Sequence, residues 1–343
     1  MSLAIVVLAA GKGTRMLSRL PKVLHPIAGR PMLQHVLRSA AQLEPTALAV
    51  VVGAGDDVRA AVESGDGRER TGPDVEIIVQ AEQLGTGHAV AQAEAAVAGR
   101  AETVLVLYGD TPLLTTATLR RLVDTHHREA NTITLLTTLI ADPALRPNGR
   151  VMRDARGEIS GVVEAPEATP EQRAIAECNM GIYAFRDSWL WPALAHVMPS
   201  AVKGEIYLTA LIGMAIAEGH RVGAVQTDDY SETLGVDTRP LLATAEAVVR
   251  RRIVDDWMSR GVTVVDPATT YIHPDVEIGR DTVIYPGTHL LGATRVGAEC
   301  VLGPNAIVRD ATLGDRCRVE MAVVEGVACP ADSVVAPFTH LAQ

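Results

Sequence analysis

The chain has 343 residues, 48% of them hydrophobic and 21% charged, an ordinary globular composition long enough for about two domains. Its 31 Lys and Arg against 41 Asp and Glu leave a net charge of −10, which argues against nonspecific nucleic-acid binding and makes any functional positive charge local. No apolar run approaches the ~20 residues of a membrane span and no basic, cleavable leader is visible, so a cytoplasmic protein is expected.

Residues 3–8 form a short run rich in β-branched side chains and predict a buried strand. Leu8-Ala-Ala-Gly-Lys-Gly-Thr-Arg15 follows, then Pro21-Lys22. Gly11 and Gly13 can take positive φ and turn successive N–H groups toward phosphate oxygens. Arg15 adds a planar fork of positive charge and Lys22 a mobile point charge. A dinucleotide fingerprint would need a third glycine where Met16 stands, and a Walker A loop would need an earlier one than Gly11. G-x-G alone fits a plain Gly-rich turn equally well; with Arg15 and Pro21-Lys22 attached, a phosphate-handling loop of another kind is expected.

Gly29-Arg30-Pro31 predicts a helix start with proline at its first position, and Met32, Val36, Leu37, Ala40 and Leu43 then share one face. Residues 48–52, 75–79 and 104–108 predict further strands, with a helix over 56–62. That rhythm predicts an α/β fold, Rossmann-like, with a mostly parallel sheet and helices on both faces. Ligands of such sheets bind beyond the carboxyl ends of the strands, where Gly11 and Asp110 both lie.

From about residue 132 the rhythm changes. Strands are expected over 132–139 and 179–185, with a hairpin of 150–153 and 159–163 around 154–157. Helices at about 187–196 and 204–218 and a strand at 221–226 complete what reads as a second lobe added to the sheet to hold the other substrate. Residues 239–260 predict a connecting helix with Leu242, Ala245, Val249, Ile253 and Trp257 as its stripe and Arg250–252 on a solvated face. Beyond Gly261 an apolar residue recurs every six positions, at Ile272, Ile278, Ile284, Leu290, Val296, Leu302 and Val308. This period predicts a β-helix of about four coils, slipping near 311–314. The expected domains are 1–238, 239–260 and 261–343. The cysteines, Cys178, Cys300, Cys317 and Cys329, have no zinc-like spacing and read as buried thiols in a reducing compartment.

Phosphoryl or nucleotidyl transfer, the chemistry a phosphate-handling loop would serve, demands positioning and charge neutralisation more than covalent chemistry. Asp110, at the end of a strand, is a hard oxygen ligand of the kind Mg²⁺ takes; alternatively it only caps the turn before Thr111-Pro112. Gln80 offers a donor and an acceptor, suited to a pyrimidine edge. Gly85 and Thr86 open a helix, either as a base-binding N-terminus or as a plain cap. His88 is expected only to pack.

The run L-A-A-G-x-G-T-R with P-K resembles the signature of sugar-nucleotide pyrophosphorylases. Taken with Gln80 to His88, Tyr108 to Asp110, Gly149-Arg150, Gly161-Val-Val-Glu164, Asn179-x-Gly181 and Gly204-Glu-x-Tyr-Leu-Thr209, the chain resembles the bacterial N-acetylglucosamine-1-phosphate uridylyltransferases. The resemblance spans the whole chain and is strongest in the first 240 residues. It implies a glycosyltransferase-A-like domain fused through a helix to a left-handed β-helix, usually a trimer. It also implies Mg²⁺-dependent conversion of UTP and N-acetylglucosamine 1-phosphate to UDP-N-acetylglucosamine and diphosphate, a supply of cell-envelope precursor.

By that resemblance Leu8, Ala9, Ala10, Gly11, Gln80, Gly85 and Thr86 hold the uridine, and Arg15 and Lys22 face the phosphates. Tyr108 and Gly109 line the site, while Gly149, Glu164 and Asn179 contact the sugar, with Tyr207 and Thr209 nearby. Glu164 could instead be a strand-end surface carboxylate. Asp110 and Asp237 are the implied metal ligands. Three positions depart from the family pattern: Asp237 for its usual asparagine, Ala210 for an aspartate, and Met180 for a small or hydroxyl residue. The family's acetyltransferase site lies beyond the segment that resembles Ala336-Pro-Phe338, so acetyl transfer is not expected of this sequence. Two readings compete with the leading one: a relative using dTTP or another sugar, and a silent homologue that serves assembly.

Overall fold

The computed structural model describes residues 2–64, 74–142 and 148–342. The first apolar run forms β1 (Leu3–Ala9), buried along its whole length. A strand apolar on both sides must be covered on both, and alternate residues do go to opposite cores. Leu3, Ile5, Val7 and Ala9 share a core with α1 (Met32–Ala41) and α2 (Asp56–Ser64), while Ala4, Val6 and Leu8 share the other with α3 (Thr86–Gln92).

The flanking strands are β2 (Ala47–Val52), β3 (Val75–Val79) and β4 (Thr103–Tyr108). After α4 (Thr116–Arg128) come β5 (Ile133–Leu139), β6 (Arg150–Arg153), β7 (Ile159–Val163) and β8 (Glu177–Arg186). Then α5 (Asp187–Leu194), α6 (Ala210–Ala217) and β9 (Val222–Thr227) follow. The central sheet runs β9-β5-β8-β4-β1-β2-β3, antiparallel only at β8, with β6 and β7 branching from β8. Strand order reverses between β1 and β4, where Leu8 pairs with Tyr108. Loops leaving that switch point diverge and open a crevice.

Two local expectations are corrected. The stretch after residue 132 is added to the same sheet, since β8 is ten residues long and hydrogen-bonds to both β4 and β5. The helix expected from 204 begins at Ala210. Ile206 gives its N–H to the Leu84 carbonyl and takes the Gly87 N–H on its own, both at 2.8 Å, so its backbone bonds go to the loop before α3. Pro31 belongs to a small hairpin with Pro26–Ile27, turned at Gly29, and α1 starts one residue later.

The chain divides into two compact units, one of residues 1–25 and 32–241, the other of 26–31 and 242–343. Helix α7 (Arg239–Ser259) begins in the first and continues into the second. Within the second, short parallel strands stack into sheets of five, five and four, somewhat more than the four coils expected. Ile272, Ile284, Leu290, Leu302 and Val308 form its buried column. Partner spacing falls from 18 residues at Ile284–Leu302 to 17 at Leu302–Val319, which is the slip in period. Arg250 is not simply solvated, since its guanidinium lies 4.4 Å from the centre of the Tyr271 ring. The four cysteines are buried and free. Among the described residues no helix is long and apolar enough to cross a membrane.

Candidate active site

The loops after β1, β3 and β4 enclose a cleft of about 330 Å³ at the carboxyl ends of those strands. Of the predicted residues, Leu8, Ala9, Ala10, Gly11, Lys22, Gln80, Gly85, Thr86, Tyr108 and Asp110 line it. Gly109 donates its N–H to the Leu8 carbonyl at 2.9 Å, locking the ends of β1 and β4 together. A side chain there would press on Leu33, Val23 and Ala9 at 3.1–3.4 Å.

Only one of the two loop glycines takes the left-handed conformation. Gly13 has φ +59° and lies so close to Lys22 that a Cβ would approach the Lys22 Cβ to 2.5 Å; Gly11 has no positive φ and faces open space. The close approach at Gly13 brings the Arg15 turn and the Lys22 turn together.

Two ion pairs result. Lys22 Nζ pairs with Asp110, and Arg15 Nη2 meets Asp237 Oδ2 at 2.7 Å. Lys22, Asp110 and Asp237 are largely shielded, with 14%, 19% and 19% of their side chains exposed, whereas Arg15 is 64% exposed. The pairs are neighbours because the Val236 N–H donates to the Asp110 carbonyl at 2.8 Å, which sets Asp237 beside the end of β4. Among the described residues no three His, Cys, Asp or Glu side chains form a metal cluster. The hard carboxylates available here are Asp110 and Asp237, each turned toward a cation.

Gln80 is buried and donates its amide N–H groups to the Gly85 carbonyl at 3.3 Å and toward His88 Nδ1 at 2.9 Å. No described residue donates to its carbonyl oxygen, which leaves an acceptor at the cleft. His88 therefore orients Gln80 as well as packing. Thr86 does not cap α3; Gly85 occupies the cap position, and the Thr86 hydroxyl accepts the Leu208 N–H at 3.1 Å.

Gly149, Glu164, Asn179 and Thr209 form a second group. Thr209 donates its hydroxyl to Glu164 at 2.8 Å, and a Cβ on Gly149 would stand 3.6 Å from the other carboxylate oxygen. Burial pushes the Glu164 carboxyl above its usual range, against the opposing Thr209 bond. The Asn179 side chain is turned inward, donating to the Tyr183 hydroxyl at 2.6 Å and accepting the Gly181 N–H at 3.2 Å. Its main chain meets Gly149, whose carbonyl accepts the Asn179 N–H at 2.9 Å.

Tyr108 packs on Gly181 and lies between the two groups; burial, then the charges of Glu164 and Asp110, raise its phenol well above the ordinary value. Tyr207 is half-buried near Glu164 and Glu205 and does not line the cleft. Of the departures, Met180 is buried among Leu107, Ile182 and other core residues, and Ala210 is an exposed first residue of α6.

Four lining residues escaped the sequence reading, the apolar Val23 and Ala89 and two polar ones. Gln83 donates its side-chain amide to the Ala10 carbonyl, and Glu205 lies at the rim. Both stand inside runs singled out for other members, so their proximity in sequence was the available signal.

A family description, MobA-like NTP transferase domain, matches residues 5–151. The bifunctional protein GlmU of Exiguobacterium sibiricum is 44% identical over 98% of this chain and 73% of its own length. The bifunctional protein GlmU of Mycolicibacterium vanbaalenii is 46% identical over 98% of this chain and 68% of its own. A putative glucose-1-phosphate thymidylyltransferase of Bacillus anthracis superposes with a TM-score of 0.60 at 19% identity, covering 73% of this chain and 96% of that one. A UDP-glucose pyrophosphorylase gives 0.58 at 17%, over 74% and 100%, and both likenesses bear on fold alone. With a nucleotidyltransferase sheet, a cleft at its switch point and relatives aligned along nearly its whole length, the chain belongs to the GlmU family of N-acetylglucosamine-1-phosphate uridylyltransferases and makes UDP-N-acetylglucosamine by nucleotidyl transfer.

Proposed function

We propose that the cleft between β1 and β4 performs this transfer from UTP to N-acetylglucosamine 1-phosphate with the residues gathered there, in the cytoplasm and as a homotrimer. The observation that carries the reading is the pair of adjacent ion pairs, Lys22–Asp110 and Arg15–Asp237, at the switch point. In-line attack by an oxygen of the sugar phosphate forms one bond to the α-phosphorus as the bond to the bridging oxygen of pyrophosphate breaks. Arg15 and Lys22 offer fixed charge to the departing pyrophosphate. Leu8, Ala9, Ala10, Gly11, Gly85 and Thr86 receive the uridine, and the unengaged Gln80 carbonyl suits the uracil N–H. Tyr108 and Gly109 separate nucleotide from sugar. Glu164, Gly149 and the Asn179 segment, with Thr209 and Tyr207, bind the N-acetylglucosamine.

As a nucleotidyltransferase of this family the protein uses a divalent metal. The four charged side chains sum to zero, so the roughly four negative charges of a triphosphate call for an added cation. Asp110 and Asp237, as hard oxygen donors, fit Mg²⁺ as its ligands. When bound, Mg²⁺ would align and neutralise the phosphates.

Pyrophosphate release across UTP, dTTP, N-acetylglucosamine 1-phosphate and glucose 1-phosphate tests the proposal. UTP with N-acetylglucosamine 1-phosphate should dominate, and chelation should abolish turnover. Lys22→Ala or Asp110→Ala should each lower kcat at least about a hundredfold. Preference for dTTP or glucose 1-phosphate, or near-normal turnover of either variant, would overturn it.

A further inference from the structure

Arg239 opens α7 two residues after Asp237, and its guanidinium reaches back to the loops of the site. Nε donates to the Met16 carbonyl at 3.2 Å and Nη1 reaches His25 Nδ1 at 3.4 Å. Met16 ends the turn Thr14–Met16, which carries Arg15; His25 caps the turn Lys22–Leu24, which carries Lys22. Each is a single 3₁₀ turn of three residues, too short to hold its own position. Their carboxyl ends expose carbonyl groups that favour a cation.

The anchor points are firm, since Met16 and His25 are 1% and 3% exposed. Burial of His25, then the charge of Arg239, lowers the imidazole pKa. A neutral ring can accept at Nδ1, which an arginine, always a donor, requires. The preceding residues complete the tie, with Val236 bonded to Asp110 and Asp237 to Arg15.

We propose that Arg239 is a positioning residue for uridylyl transfer, clamping the ends of the Arg15 and Lys22 turns so that both cations keep one arrangement. Arg239 does not line the cleft itself. The proposal rests on the reading that Arg15 and Lys22 act on the departing pyrophosphate.

A double-mutant cycle on the full chain tests it. Arg239→Gln should lower kcat/KM for UTP about tenfold while KM for N-acetylglucosamine 1-phosphate stays within about twofold and Tm within ~2 °C. Arg239→Lys, with one ammonium for two acceptors, should recover part of the loss. In the Lys22→Ala background Arg239→Gln should cost clearly less than the roughly tenfold it costs alone, because part of its effect passes through Lys22 and only the rest through Arg15. Full additivity, or an equal rise in KM for both substrates, overturns the positioning role. If Lys22→Ala alone leaves turnover near normal, the assignment of Lys22 fails first, and the clamp with it.

Discussion

Asp237 puts a formal charge where the family usually has an amide, and Arg15 answers it at 2.7 Å. On the proposed assignment Asp237→Asn weakens the hold on metal and releases Arg15 to the phosphates. The Mg²⁺ concentration for half-maximal turnover should rise about three- to tenfold while KM for UTP falls. An unchanged metal titration would remove Asp237 from the metal site. Glu164 gives a second residue-level expectation. Its carboxyl is raised by burial. Such a group costs stability as pH rises through its unfolded pKa, and the cost is complete above the folded one. Glu164→Gln keeps an acceptor for Thr209 and removes that cost. Its Tm should exceed wild type at about pH 8 but not at about pH 4, while KM for the sugar phosphate rises. Equal shifts at both pH values would contradict a penalised charge at Glu164.

At the scale of elements, the join between α3 and the 204–209 segment is the least forgiving. Gly85 has φ +113°, and a Cβ on it would stand 2.6 Å from the Ile206 carbonyl oxygen. Gly85→Ala should therefore displace the start of α3, raise KM for UTP and cost about 1–3 kcal/mol in a denaturant melt. Normal UTP affinity would show that the cleft tolerates this shift. The same join explains what could be read in advance. Strands β1, β2 and β4 were legible as apolar runs because both of their faces are buried, and β3 as a β-branched run at the sheet edge. Leu8, Gly11, Gln80 and Asp110 were legible because they stand at or just beyond strand ends. The segment 204–209 looked helical because apolar Ile206 and Leu208 lead into α6. Only the partner loop, more than a hundred residues earlier, shows why its backbone bonds elsewhere. The tie from Arg239 to Met16 and His25 spans more than two hundred residues and leaves no local pattern.

At the scale of the molecule, two compact units with separate cores should respond separately to damage. Leu302 is fully buried in the β-helix core, far along the chain from every residue assigned to the cleft. Leu302→Ala leaves a cavity that neighbouring coils, tied by backbone bonds at Gly303–Val319 and Tyr285–Leu302, cannot readily close. A loss of about 2–5 kcal/mol is expected, on the order of 10 °C in the melting of a unit this size. Calorimetry should resolve two transitions, of which the variant lowers one and leaves the other in place. Turnover of UTP at 25 °C should stay within about twofold, because the uridylyl cleft draws its lining from the first unit alone. One merged transition, or a kcat that falls with the melting temperature, would mean that the two units do not unfold independently.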